Sequence, residues 1–153
     1  MLTLTLGITL GIAVVLTLIL LFVPKQEGRS AKMPGLLLFA DGKSRVCTVG
    51  LQGTMNTYTF DEDAPVYEGM LSVDGQELEP LYLTFDGTYA AAGTEGARAV
   101  MTQDMAIAAQ LTLDGEVCLV LAPAPDEEAA QVLLARFLAD TALARQQGWK
   151  KYQ

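Results

Sequence analysis

Three groups of residues carry whatever chemistry this chain can perform. Asp61, Glu62 and Asp63, with Glu68 beyond, concentrate carboxylates near a predicted turn; Cys47 and Cys118 are the two thiols; Trp149, Lys150, Lys151 and Tyr152 form a basic, aromatic tail. The carboxylates could hold Ca²⁺, which takes six to eight oxygens, but the spacing is not that of an EF-hand and Ala64-Pro65 interrupts it. A solvated hairpin loop is the plainer expectation. Outside a cell the thiols could pair across a sheet if their Cα atoms lie within about 7 Å. In a reducing compartment they read as small buried apolar residues, and Arg45 beside Cys47 is the one hint of a reactive thiolate.

What is missing narrows the chemistry further. The 153 residues include no histidine, which removes the commonest general base, the Ser-His-Asp and Cys-His systems and most catalytic zinc sites. Two cysteines are too few for a four-cysteine metal site. There is no Gly-Lys-Ser/Thr phosphate loop and no dinucleotide-binding glycine pattern. A net charge of −8 argues against nucleic acid, whose phosphates need basic neutralisation. The expectation is a protein that is not an enzyme, with no catalytic residues, no metal site and no cofactor.

The elements that position these groups fall into two unlike parts. All 28 charged residues lie beyond Pro24. Leu2 to Val23 is an unbroken apolar run relieved by glycine and threonine, and as a helix it would reach roughly 33 Å, enough to cross a hydrocarbon core. A threonine hydroxyl can bond a carbonyl one turn back, so the four threonines are tolerable there. Pro24 stops the run. The basic n-region of a secretory signal is missing and no clean cleavage site follows, so residues 1–24 are expected to be an uncleaved signal-anchor crossing the cell membrane once. Gly7 and Gly11, extended one turn earlier by Thr3, make a small-residue stripe through which two such helices could form a homodimer. Lys25, Arg29 and Lys32 follow the span, and the positive-inside rule then favours a cytoplasmic over an extracytoplasmic body.

Residues 25–34 read as a polar, proline-flanked juxtamembrane linker. Beyond them the hydrophobic period changes to two. Asp41-Gly42, Asp74-Gly75, Asp86-Gly87 and Asp114-Gly115 each sit between apolar stretches, a strong signal for successive antiparallel hairpins. Strands are predicted at Gly35–Ala40, Arg45–Leu51, Asn56–Glu62, Val66–Val73, Leu78–Phe85 and Ile107–Leu113, with another from Val117. Pro80 marks an edge or bulge. Ala97–Ala106 is ambiguous between helix and strand and is read as a short strand. After Pro123-Ala124-Pro125, Asp126-Glu127-Glu128 opens an amphipathic helix predicted over 126–146, with Asp126 as its cap and Gly148 as its terminator. The fold class is therefore α+β: one transmembrane helix, then an antiparallel β-meander of about seven strands over 35–122, sheet or partly open barrel. A C-terminal helix and tail over 123–153 pack on it, so that 35–153 is one globular domain.

The expected function is a membrane-anchored, non-catalytic module that binds a membrane-associated protein partner or supports a larger assembly, with the lipid bilayer itself as the first partner. The alternative is a small-ligand domain with a cavity between the sheet and the C-terminal helix. Lys25, Arg29, Lys32, Trp149, Lys150, Lys151 and Tyr152 could together form a basic collar at the membrane interface; a frayed, solvated tail is the simpler reading of the last four.

Overall fold

The computed structural model describes residues 1–92 and 98–153. Helix α1 (Leu2–Phe22) buries none of its residues. Three of its threonines close on carbonyls one turn back: Thr5 donates to Met1 O at 2.9 Å, Thr17 to Ala13 O at 2.8 Å, and Thr9 to Thr5 O. Polar hydroxyls are thereby satisfied within the helix, as an apolar solvent requires. The chain turns directly from α1 into an antiparallel barrel of eight strands in sequential order: β1 (Lys25–Phe39), β2 (Ser44–Tyr58), β3 (Asp61–Val73), β4 (Gln76–Asp86), β5 (Tyr89–Ala92), β6 (Arg98–Thr102), β7 (Ile107–Leu113) and β8 (Glu116–Ala122). The architecture is α+β with a single candidate span among the described residues.

Two predicted boundaries move. Residues 25–34 are not a linker but the first half of β1, paired with β2 from Lys25↔Thr57 onward. Likewise Arg45–Leu51 and Asn56–Glu62 are not two strands. They merge into β2 and the start of β3, with the turn at Thr59-Phe60. Gly53, which interrupts the apolar pattern, sits opposite Gly69 on β3. A Cβ at Gly53 would overlap the Glu68 carbonyl, so the glycine allows close approach of two strands rather than ending one. Tyr67, fully buried, donates its hydroxyl to Arg29 O at 3.3 Å from the same region and ties β3 to β1 across that gap. Of the ambiguous stretch, Ala97 lies outside the described residues, and Arg98–Thr102 is strand.

The Asp-Gly turns act through backbone sign. Asp74 and Gly75 both have positive φ (51° and 81°), as do Asp114 and Gly115 (51° and 80°), the geometry of the tight hairpin turn that matches strand twist. Pro80 lies in the part of β4 paired with β3, beside a register shift between Leu71 and Ser72. Proline is tolerated there because the ladder is already interrupted.

Register sets the barrel's slant. From Leu36 the pairing runs through Leu121, Ala108, Val100, Ala91, Thr84, Val66 and Asn56 and returns to β1 at Gln26, ten residues from its start. So large a stagger tilts the strands strongly. Among the described residues it also leaves only Leu36–Phe39 of β1 paired with β8, while Lys25–Gly35 pairs with β2 alone.

The described residues form two cores. Alternate strand residues, among them Leu37, Val49, Leu71, Leu83, Phe85, Met101 and Val120, fill the barrel interior. The other faces of β1, β6, β7 and β8 present Leu36, Leu38, Val100, Ala108, Leu119 and Leu121 outward, where α2 (Glu127–Asp140) covers them with Ala130, Leu133, Leu134 and Phe137. Strands near the closure therefore lose the simple inside–outside alternation and read as continuous apolar runs. Fully burying a Leu or Phe is worth about 1.5–3 kcal/mol, so this second seam contributes on the scale of the domain's whole stability. The helix predicted over 126–146 is in fact two. Asp126 caps α2, accepting from Ala129 N at 2.8 Å; Thr141 is extended and starts α3 (Ala142–Gln146). Arg145 folds back to donate to Leu138 O and Ala139 O at 2.9 and 2.8 Å, satisfying the freed carbonyls of α2. Gly148, at φ 69°, turns the chain into a last 3-10 turn, Trp149–Tyr152.

Candidate functional site

The tail is neither frayed nor available to a membrane through its rings. Trp149 is 0% exposed and donates Nε1 to Gln110 Oε1 on β7 at 3.0 Å. Tyr152 is buried too, and its carbonyl accepts from Gln131 Nε2 at 2.9 Å. These two rings belong to the α2 seam, which corrects their assignment as interface contacts; a one-turn segment hides its rings because only Lys150 and Lys151 between them face water. Of the other basic residues, Lys25 and Lys32 are exposed, while Arg29 is half-buried and paired with Glu27 at 3.2 Å.

Different aromatic residues meet the end of α1. At the tip of the β2–β3 hairpin, Thr59 Oγ1 donates to Leu20 O at 3.1 Å. Phe60 meets Phe22 at a tilt, with ring centroids 6.0 Å apart, and Tyr58 lies 5.4 Å from Phe60. Asp61, Glu62 and Asp63 follow as exposed side chains at the start of β3. Among the described residues no group of three or more His, Cys, Asp or Glu side chains is placed to hold a metal ion. The acidic run, expected as a hairpin loop, instead opens β3, and the turn falls one step earlier, at Thr59-Phe60.

The slanted barrel leaves a second surface. Pro34 O accepts from Ala124 N at 2.9 Å, whereas Phe39 N donates towards β2, to Lys43 O. Strand backbone groups alternate sides. Gln26, Gly28, Ser30 and Lys32 therefore direct their N–H and C=O away from β2, along a stretch where β8 is absent. Pro34 falls on that outward series, where its missing N–H removes no bond to β2. Beside this edge, on the outer face of β1–β3, lies an open groove of about 760 Å³ lined by Ser30, Lys32, Thr48, Gly50, Gln52, Ser72 and Asp74. Gly50 makes its floor, since a Cβ there would strike Ser72 Oγ. Asp74 is held by Thr48 N at 2.9 Å. The sheet–helix seam, by contrast, is filled by the apolar side chains of the second core.

The thiols are both free and buried inside the barrel. Burial pushes Cys47 up to about 11, with Asp74 adding to the effect and Arg45 opposing it; burial also raises Cys118. Arg45 thus fails to make a reactive thiolate, because desolvation outweighs its field. On α1, a Cβ at Gly7 or Gly11 would meet nothing within 4 Å, and Thr3 is exposed, so the stripe is open to its surroundings. No protein-family model, no curated protein and no solved structure matches the chain.

Proposed function

We propose that this chain is a single-pass membrane-anchored β-barrel module that does no chemistry of its own and acts by binding a membrane-associated protein or supporting a membrane assembly. The observation that carries this reading is the pairing of an all-apolar helix, none of whose residues is buried, with a barrel whose interior and helix seam are packed with side chains. That packing supports an interaction module over a ligand cavity between sheet and helix. Confinement to a membrane raises the effective concentration of partners there. The open edge of β1 is the surface a partner's extended segment would use, because unpaired strand groups are satisfied by another strand. The stripe of Thr3, Gly7 and Gly11 would let two copies meet within the bilayer. Lys25, Arg29 and Lys32 favour a cytoplasmic barrel.

Fractionation of cells expressing the full chain tests the anchor. The protein should stay with membranes through an alkaline carbonate wash and require detergent for release; recovery in the aqueous fraction overturns the reading. Gln153→Cys, exposed at the end of the chain, reports sidedness against the buried native thiols: an impermeant maleimide should label it only after lysis. Ser30→Pro tests the edge. It removes one outward N–H while sparing the bonds to β2, so photo-crosslinking of the membrane partner from Lys32 should fall with no loss of thermal stability. Undiminished crosslinking excludes the edge as the contact.

A further inference from the structure

The β2–β3 hairpin tip is an odd place for aromatic residues. Its two turn positions are Thr59 and Phe60, with none of the Gly, Asn, Asp or Pro that turns favour, and Phe60 is 63% exposed. An exposed Phe at a loop tip has little folding rationale, since Tyr58 beside it leaves most of the ring uncovered. Its position supplies one. Thr59 is hydrogen-bonded to Leu20, and Phe60 lies against Phe22, two residues of the last turn of α1. A group in contact with Leu20–Phe22 shares their surroundings.

We infer that the hairpin tip Tyr58–Phe60 is a second point of membrane insertion, with Phe60 and Tyr58 seated at the boundary of hydrocarbon and headgroups beside the end of α1. This rests on the reading of α1 as a membrane span. Rings at that depth are favoured because they are apolar yet tolerate a polar edge. Asp61, Glu62 and Asp63 set the limit of insertion: three exposed carboxylates stay in water and hold the barrel above the headgroups. They outnumber the nearby Lys25, which sits opposite Thr57, while Arg29 is already engaged by Glu27. The surface recognised is therefore a zwitterionic one, held by aromatic burial rather than by capture of anionic lipid. With helix and hairpin both engaged, and β1 starting at Lys25, the barrel has no free linker about which to swivel.

The test uses the full chain in phosphatidylcholine vesicles, with lipids brominated near the headgroup or near the chain ends. Phe60→Trp adds a reporter at the tip; the parent chain supplies the background of buried Trp149; Leu10→Trp reports mid-span. Phe60→Trp should emit to the blue of a water-exposed indole and lose intensity to shallow bromines, while Leu10→Trp loses intensity to deep ones. A quenched Leu10→Trp with an unquenched, red-emitting Phe60→Trp overturns the hairpin inference and leaves the anchor standing. Absence of quenching at both positions overturns the anchor as well. Phe60→Trp quenching that arises only after anionic lipid is added also overturns the inference, since charge and not ring burial would then hold the tip.

Discussion

Helices α1 and α2 are both rich in leucine, yet their surroundings are opposite. Over Leu2–Phe22 no residue is buried, no side chain is charged and the apolar character runs round the whole cylinder. Over Glu127–Asp140 the buried residues Ala130, Leu133, Leu134 and Phe137 keep to one stripe, and the exposed remainder mixes Glu127, Glu128, Arg136 and Asp140 with Val132 and small alanines. A stripe can be covered by one wall, and the outward leucines of β1 and β8 supply it. A cylinder cannot be covered by one wall, so it needs apolar surroundings on every side. Distribution of the same residue types, not their amount, separates the element that builds the domain from the element that leaves it.

The sharpest way to break this contrast is Phe137→Ala. Phe137 is fully buried in the outer seam and meets Tyr89 edge-on at 6.0 Å. Truncation should cost about 3–5 kcal/mol, read as a large fall in the melting temperature of the detergent-solubilised chain. A fall of under about 1 kcal/mol would mean that the seam is an ornament on a self-sufficient barrel. Leu10→Arg probes the other helix. It should disfavour insertion by about 2.5–3.5 kcal/mol and lower the carbonate-resistant fraction, yet leave the melting temperature of the barrel unchanged. A melting temperature that falls with it would show that α1 is packed on protein after all.

A third outcome concerns the barrel interior. Cys47 is raised from its ordinary 9.0 to about 11, so across pH 9–11 the unfolded chain loses a proton that the folded chain keeps. Stability from this thiol is complete below pH 9 and is lost as pH rises towards 11. Cys118 and Tyr67 shift in the same direction through burial. Alkaline unfolding followed by circular dichroism should show that fall, and Cys47→Ala should flatten it. Both thiols should also resist alkylation until the chain is denatured. Rapid labelling of native protein at neutral pH would place a thiol outside the interior.

Much of this architecture could be read from residue order, and what could not has physical causes. Asp74-Gly75 and Asp114-Gly115 were legible because left-handed backbone at two successive positions restricts which residues can serve. The Thr59-Phe60 turn was not, because its residues are chosen for what lies beside the tip and not for the turn. The first half of β1 looked like a linker because one of its edges is open and its apolar face begins only at Ala31 and Met33, leaving no alternation to see before them. Trp149 and Tyr152 were misplaced because a single 3-10 turn is too short to show a period, and the lysines between them dominate its composition. The edge of β1 and the groove beside it follow from the barrel's stagger, which no local pattern encodes.

The smallest effect lies at the start of α2 and sharpens the same contrast. Asp126 accepts from Ala129 N at 2.8 Å, whereas Met1 before α1 makes no side-chain cap. A helix that must begin at a fixed point after Pro123-Ala124-Pro125 gains from having its first amides satisfied, because its stripe meets the wall in only one register. Asp126→Ala should therefore cost about 1 kcal/mol of domain stability. Asp126→Asn separates hydrogen bonding from charge: it keeps the acceptor and removes the carboxylate, so most of that loss should be recovered, leaving a deficit of about 0.3 kcal/mol from the charge at the helix terminus. If the asparagine variant is as unstable as the alanine one, the terminus is held by charge. Glu127 and Glu128, in the same first turn, would then be the next residues to neutralise.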